Sequence, residues 1–166
     1  MIVEDSLAVS KGQGSIETNA SNDWTFTPNA NFNGPVELTY KVSDGTTDVS
    51  RTATFEVVSI NDIPTLNASP QSLPDGEEDV VYTINANTLL DNYSDVEGNT
   101  LSIVSLSAAG GEINETSTGI WEFTPAKDYS GDVKINYVIS DGNNGYALGE
   151  TTVNLLAVND LSLIHI

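Results

Sequence analysis

The chain carries one pattern twice. Trp24-Thr-Phe26-Thr-Pro28 returns as Trp121-Glu-Phe123-Thr-Pro125, and Tyr40-Lys-Val42-Ser-Asp44-Gly45 returns as Tyr137-Val-Ile139-Ser-Asp141-Gly142. Both pairs keep an offset of 97 residues, whereas Asn61-Asp62 returns as Asn159-Asp160 at 98, so one residue has been inserted in the last hairpin. A period near one hundred residues is too long for a solenoid or a propeller blade and matches a whole small domain repeated in tandem. The 166 residues leave room for one or two such domains, each with one modest core.

Within each copy the alternation is that of a half-buried antiparallel strand. Val36, Leu38, Tyr40 and Val42 alternate with polar neighbours, as do Val133, Ile135, Tyr137 and Ile139. Ala53, Phe55 and Val57 form a second such strand, echoed by Thr151, Val153 and Leu155. Asp44-Gly45 and Asp141-Gly142 supply the hairpin turns between them, and Asn33-Gly34-Pro35 and Ser130-Gly131-Asp132 the turns before. Many short strands punctuated this way predict an all-β protein of the sandwich class. One segment hints at helix: Ala86-Asn-Thr-Leu89-Leu90-Asp91 suits a single turn before Asn92.

The repeat also sets the expected boundaries. Asn61-Asp62-Ile63-Pro64 joins the copies, and its proline breaks ladder pairing as a joint should. Residues 1–62 then form a first unit truncated at its N-terminus, because residues 63–100 of the second unit have no counterpart in it; an unfilled edge is expected there. Residues 63–160 form a complete unit. The hexapeptide Leu161-Ser-Leu-Ile-His-Ile166 lacks the turn signal that follows the first Asn-Asp, and it is what the end of a sequencing-library transposon adapter encodes when translated. It is read as a non-native tail and set aside from the fold, against the alternative of a genuine terminal strand.

Charge narrows the function classes. Twenty-four acidic residues face five basic ones, for a formal charge of −19. Nucleic acid and anionic membrane surfaces are repelled by such a chain, whereas cations are attracted. No apolar run is long enough to span a bilayer, so no direct membrane insertion is expected. Met1-Ile-Val-Glu-Asp lacks the basic start and apolar core of a signal peptide, so an export signal is expected outside this sequence. The absence of cysteine removes disulfides and thiol chemistry. The only histidine is His165, inside the suspect tail, which leaves a Ser-His-Asp arrangement without a base. A non-enzymatic protein is expected.

Seven motifs occur in order: Glu77-Glu78-Asp79, Leu89-Leu90-Asp91-Asn92, Asp95-Val96-Glu97-Gly98-Asn99, Trp121-x-Phe123-Thr-Pro125, Tyr129-x-Gly131, Tyr137-x-Ile139-Ser-Asp141-Gly142 and Val158-Asn159-Asp160. This series resembles the cadherin-like tandem repeat of large bacterial surface adhesins and secreted repeat proteins. The resemblance covers the second unit completely and the first from about Glu4. It implies a seven-strand Greek-key sandwich, immunoglobulin-like in outline, with calcium held where one repeat meets the next. Carried over residue by residue, the linker supplies Asn61 and Asp62, and the following repeat supplies Asp95, Glu97 and Asp141. Glu77 and Glu78 would serve the far end, with Asn159 and Asp160. Glu97 stands where the family more often has Asp, and the first unit has no Glu-Glu-Asp of its own. The implied setting is extracellular or on the bacterial cell surface, as a stalk segment in adhesion. Its partners would be calcium, neighbouring repeats of the same chain and, through other domains, host or bacterial surface ligands.

The residues are consistent with that chemistry without the resemblance. Calcium takes six to eight hard oxygens in flexible geometry, and clustered Asp, Asn and Glu supply them. The competing account is that Asn61-Asp62 and Asp141-Gly142 are turn formers only. No contiguous EF-hand loop and no Gly-Gly-x-Gly-x-Asp repeat is present. Trp24 and Trp121 read as core residues rather than sugar platforms, since each alternates with a phenylalanine. The four Asn-x-Ser/Thr patterns at Asn19, Asn67, Asn92 and Asn114 are expected by chance in so Asn- and Ser-rich a chain. The alternative function is a sandwich that itself binds a ligand, either an identical repeat or a glycan.

Overall fold

A computed structural model describes residues 2–3, 6–19 and 23–159. It is a β-protein with two compact units, Met1–Ile60 and Asn61–Ile166, so the pair Asn61-Asp62 belongs to the second. The tail 161–166 and Asp160 lie outside the described residues.

The first unit has five strands: β1 (Ala8–Lys11), β2 (Gly14–Thr18), β3 (Trp24–Pro28), β4 (Gly34–Ser43) and β5 (Asp48–Val57). They form a sheet in the order β1-β4-β5 and a separate pair β2-β3, all antiparallel. The second unit opens with β6 (Thr65–Leu66), β7 (Gly76–Glu77), β8 (Tyr82–Asn85), the one-turn helix α1 (Ala86–Leu90) and β9 (Tyr93–Ser94). Then follow β10 (Ser102–Ala108), β11 (Gly111–Ser117), β12 (Ile120–Pro125), β13 (Gly131–Ser140) and β14 (Tyr146–Leu156). These last five repeat β1 to β5 at the offsets found in the sequence. They sit in two sheets, β10-β13-β14-β7 and β11-β12-β8, with β6 and β9 as a further pair. β7 runs parallel to β14 and β8 antiparallel to β12, so one short segment completes both sheets.

The core lies between those sheets. Val133, Ile135, Tyr137 and Ile139 are buried from one strand and Val153 and Leu155 from the next, as alternation requires. Ile84, Phe123 and Trp121 close it from the other sheet, and Trp121 is 8% exposed, which makes it a core residue. The helical turn forms as the sequence suggests. Asn85 caps it by accepting from the Asn87 amide at 2.9 Å, and Leu89 turns inward to a fully buried position. Burial of each such side chain contributes about 1.5–3 kcal/mol.

The insertion inferred from the repeat lies in the turn between the last two strands. Ser43 pairs with Asp48 across a four-residue loop, 44–47, whereas Ser140 pairs with Tyr146 across a five-residue loop, 141–145. That extra residue shapes the site described next.

Candidate functional site

The loop begins at Asp141, which is 3% exposed although it carries a charge. A buried carboxylate must be surrounded by donors, and here three converge. Oδ1 accepts from the Asn143 amide at 2.7 Å and the Gly145 amide at 2.9 Å. Oδ2 accepts from the Asn61 side chain at 2.6 Å, a contact spanning 80 residues. The Asn61 bond, helped by the two loop amides, holds the Asp141 carboxyl below the usual carboxylate range against the opposing push of burial. Any larger residue at position 145 would displace the side chains around it. A Cβ there would run into the Asp141 Oδ2 and come within 2.9 Å of the Asn61 Nδ2.

A second acidic turn meets the same asparagine. Asp95 Oδ1 accepts from the amides of Glu97 at 3.0 Å and Asn99 at 3.1 Å, and the Gly98 amide donates to the Asp95 carbonyl at 3.1 Å. Gly98 takes φ 78°, which the turn demands and glycine tolerates. The linker lies across this turn: the Asp62 amide donates to Glu97 Oε2 at 3.1 Å, and Asn99 Nδ2 donates to Asn61 Oδ1 at 3.3 Å. Asn61 Nδ2 also reaches the Asp62 carbonyl at 3.0 Å. Asn61, Asp62, Asp95, Glu97 and Asp141 thus form one network, and Asn99 belongs to it as well.

The network is short of positive charge. Three carboxylates enter it, those of Asp95, Glu97 and Asp141, while Asp62 joins through its backbone, and the ion pairs Lys127–Asp128 and Lys134–Glu150 lie elsewhere. Asp95 Oδ2 is buried and has no hydrogen-bond partner. Among the described residues, no three acidic or histidine side chains converge closely enough to hold a metal ion as they stand.

At the other expected end, the structure brings Glu78 but not its neighbour into a defined role. Glu78 is 6% exposed; its amide donates to the Leu156 carbonyl at 3.0 Å, and its Oε1 accepts from the Val158 amide at 2.7 Å. Glu77 sits in the parallel pairing of β7 with β14 and stays exposed, as does Asn159. Asp160 lies outside the described residues.

Two participants escaped the sequence reading. Asn99 was visible as the end of an Asp-x-x-Gly-Asn turn, and Gly145 as the residue next to the insertion. Neither signal says that both converge on Asn61.

A model described as Cadherin-like domain matches residues 2–58 and again 60–156. Among solved structures, mouse Cadherin-23 EC22-24 is similar over 92% of this chain and 53% of that one, with 14% identity and a TM-score of 0.51. At that identity the likeness shows the fold. The human Desmocollin-1 ectodomain covers 94% of this chain at 15% identity and a TM-score of 0.41. An endo-fucoidan hydrolase from glycoside hydrolase family 107 covers 94% at 22% identity and a TM-score of 0.39. The chain spans 34% and 24% of those two longer proteins, and their superposition is too loose to bear on function. No curated protein sequence matches. The two matched segments take in nearly all of the described residues, and the chain belongs to the cadherin-like domain family.

Proposed function

We propose that this chain is a calcium-binding structural segment of a bacterial cell-surface or secreted adhesin, working as a stalk rather than as an enzyme. In this reading residues 1–62 are a truncated repeat and residues 63–160 a complete one. One observation carries the proposal: Asp95 Oδ2 is buried and unpartnered inside a network already rich in carboxylates. An unpaired buried carboxylate oxygen is costly, and a cation removes the cost.

The donor set suits calcium. Asp62, Asp95, Glu97 and Asp141 offer carboxylates, and Asn61 and Asn99 offer amide oxygens, all hard donors on flexible turns. Asn61 Nδ2 now places a partial positive charge on Asp141 Oδ2. Turning the amide over would present its oxygen instead, and which way such a group points is an assignment from the hydrogen bonds around it. A bound ion would supply charge neutralisation and tie the linker pair Asn61-Asp62 to the turns at Asp95 and Asp141. Glu78, with Asn159 and Asp160, would serve a second site at the other end. No helix among the described residues is long and apolar enough to cross a membrane. Extracellular modules of this kind bind calcium with dissociation constants of about 10⁻⁴–10⁻³ M.

The test is thermal unfolding with calcium and with chelator. At a hundred times its dissociation constant, calcium should add about 2.7 kcal/mol per site. Asp62→Ala and Asp95→Ala should each remove most of that gain, while Asp75→Ala, outside the network, should not. Small-angle scattering of a protein with two complete repeats should show a larger maximum dimension with calcium than without. An unchanged melting temperature together with an unchanged dimension would overturn the proposal and favour the ligand-binding sandwich.

A further inference from the structure

The residue inserted in the last hairpin brings a reactive pair with it. The shorter loop reads Asp44-Gly45-Thr46-Thr47, whereas the longer one reads Asp141-Gly142-Asn143-Asn144-Gly145. When glycine follows asparagine, the glycine nitrogen reaches the asparagine side-chain amide most readily, because no side chain blocks its approach. The chain holds two such pairs, Asn33-Gly34 and Asn144-Gly145. Both asparagines are exposed, but the nitrogens beside them are held differently.

Gly34 takes φ 119° and has open space where a Cβ would stand. Gly145 is buried, its N–H donates to Asp141 Oδ1 at 2.9 Å, and its carbonyl accepts from the Asp141 amide at 3.2 Å. The Asn143 amide shares that Oδ1 at 2.7 Å, so Asn144, at φ 68°, sits between two residues bound to one oxygen. Asn61 closes the other side of the same carboxylate at 2.6 Å. The Gly145 nitrogen can attack only after it loses its proton. A carboxylate 2.9 Å away holds that proton and repels the anion left behind, and burial weakens the screening of that repulsion. Swinging the nitrogen onto the Asn144 side chain would also pull Gly145 off Asp141.

We propose that Asn144 is a latent self-modification site, held unreactive by Asp141 and Asn61 and released when their contact opens. The Gly145 nitrogen gives its proton to solvent base and bonds to Asn144 Cγ. The Cγ–Nδ2 bond breaks, and the nitrogen leaves as ammonia after taking up a proton. One water then opens the cyclic imide at either carbonyl, to aspartate or to isoaspartate. Aspartate adds a carboxylate to a network already short of positive charge. Isoaspartate lengthens the main chain by one carbon before Gly145, so the Gly145 and Asn143 amides no longer meet Asp141 together. Either product opposes the closure that had prevented it. A reversible opening of the Asn61–Asp141 contact thereby becomes a permanent one.

The test incubates the full chain in warm neutral buffer with chelator and follows Asn144 and Asn33 in the same sample by peptide mapping and mass spectrometry. An isoaspartyl methyltransferase labels the isoaspartate. Asn144 should convert at least about tenfold more slowly in the folded chain than in guanidinium. N61A and D141N should each raise its folded-state rate at least about threefold, while Asn33 keeps one rate in all three proteins. Amide exchange across Gly131–Ser140 verifies that each variant stays folded, and N61A, at an exposed residue, carries the test if D141N does not fold. Converted chains should exchange the Gly145 amide faster than unconverted ones. Equal Asn144 rates in folded and unfolded chains, or no acceleration in N61A, overturns the proposal. So does an Asn144 that stays intact in guanidinium. Chelator throughout keeps every outcome independent of calcium.

Discussion

The turns at Asp44 and Asp141 share Ser-Asp-Gly, yet only one is buried in a network. Asp44 is exposed, and its Oδ1 accepts from the amides of Thr46 and Thr47 at 2.8 Å each. Asp141 accepts the same kind of bonds from Asn143 and Gly145, and its second oxygen meets Asn61. The difference is one inserted residue and a linker segment that folds back. The lesson is that an Asx turn satisfies only half of a carboxylate. The other half becomes a site only when a distant part of the chain is brought against it. The same contrast runs through the units as wholes: β14 is buried at every inward position from Thr151 to Leu155, while on β5 only Val57 is even half-buried.

The sharpest way to break this comparison is to remove the equivalent ring from each unit. Phe123→Ala, at a position with 0% exposure, should cost the second unit about 3–5 kcal/mol. Phe26→Ala, at a half-buried position, should cost the first unit less than about half as much. Urea denaturation read by amide exchange distinguishes the two. Equal losses would show that the first unit completes its core by a route absent from the described residues.

A smaller effect is expected at the inserted turn. Gly145→Ala would force a methyl group onto the Asp141 carboxylate and the Asn61 amide, for a loss of about 1–3 kcal/mol. Thr47→Ala, in the shorter loop, should stay within about 0.5 kcal/mol of neutral, because the position is exposed. A thermal midpoint unchanged in the first variant would mean that the two turns are interchangeable after all.

Acid sharpens the same contrast more gently. Both Asp44 and Asp141 have carboxyls held below their ordinary value, the first by the Thr47 and Thr46 amides and the second chiefly by Asn61. A carboxyl whose folded value is lowered favours the folded state when ionised. That stabilisation is complete above the unfolded value of about 3.9 and is lost as pH falls through the lower folded value. Stability below pH 4 should therefore fall less steeply in Asp141→Asn than in the parent chain. Asp44→Asn should change the slope less, since that turn holds no other part of the chain. Chemical denaturation at stepped pH tests both, and identical slopes in all three proteins would remove Asp141 from the acid response.

Much of the fold was legible because local rules agree with one another. Alternating Val, Ile and Tyr set which face of each strand is buried, and Asp-Gly pairs set the turns. The run from Ala86 through Leu89-Leu90 to Asp91, before Asn92, made the short helix readable. Two copies then checked each reading against itself, down to the extra residue in one hairpin. The candidate site was legible as a set of residue types and only partly as a place. The sequence pointed to Asn61, Asp62, Asp95, Glu97 and Asp141, but Glu77 and Asn159 looked equal to Glu78, and Asn99 and Gly145 drew no notice as partners.

What the amino-acid sequence determined alone is the β class, the duplication, the strand periods and the anionic character: strand period and turns depend on neighbours within a few residues, and repetition and charge are properties of the residues themselves whatever the fold. What only the tertiary structure decided is which buried polar groups find a partner and which do not. Asp95 Oδ2 is buried and unpaired, Asp141 is closed over by Asn61, and Glu78 is capped by the Val158 amide. Each of those states depends on contacts between residues tens of positions apart. Burial then fixes the cost of an unmatched charge, and no local pattern encodes that cost.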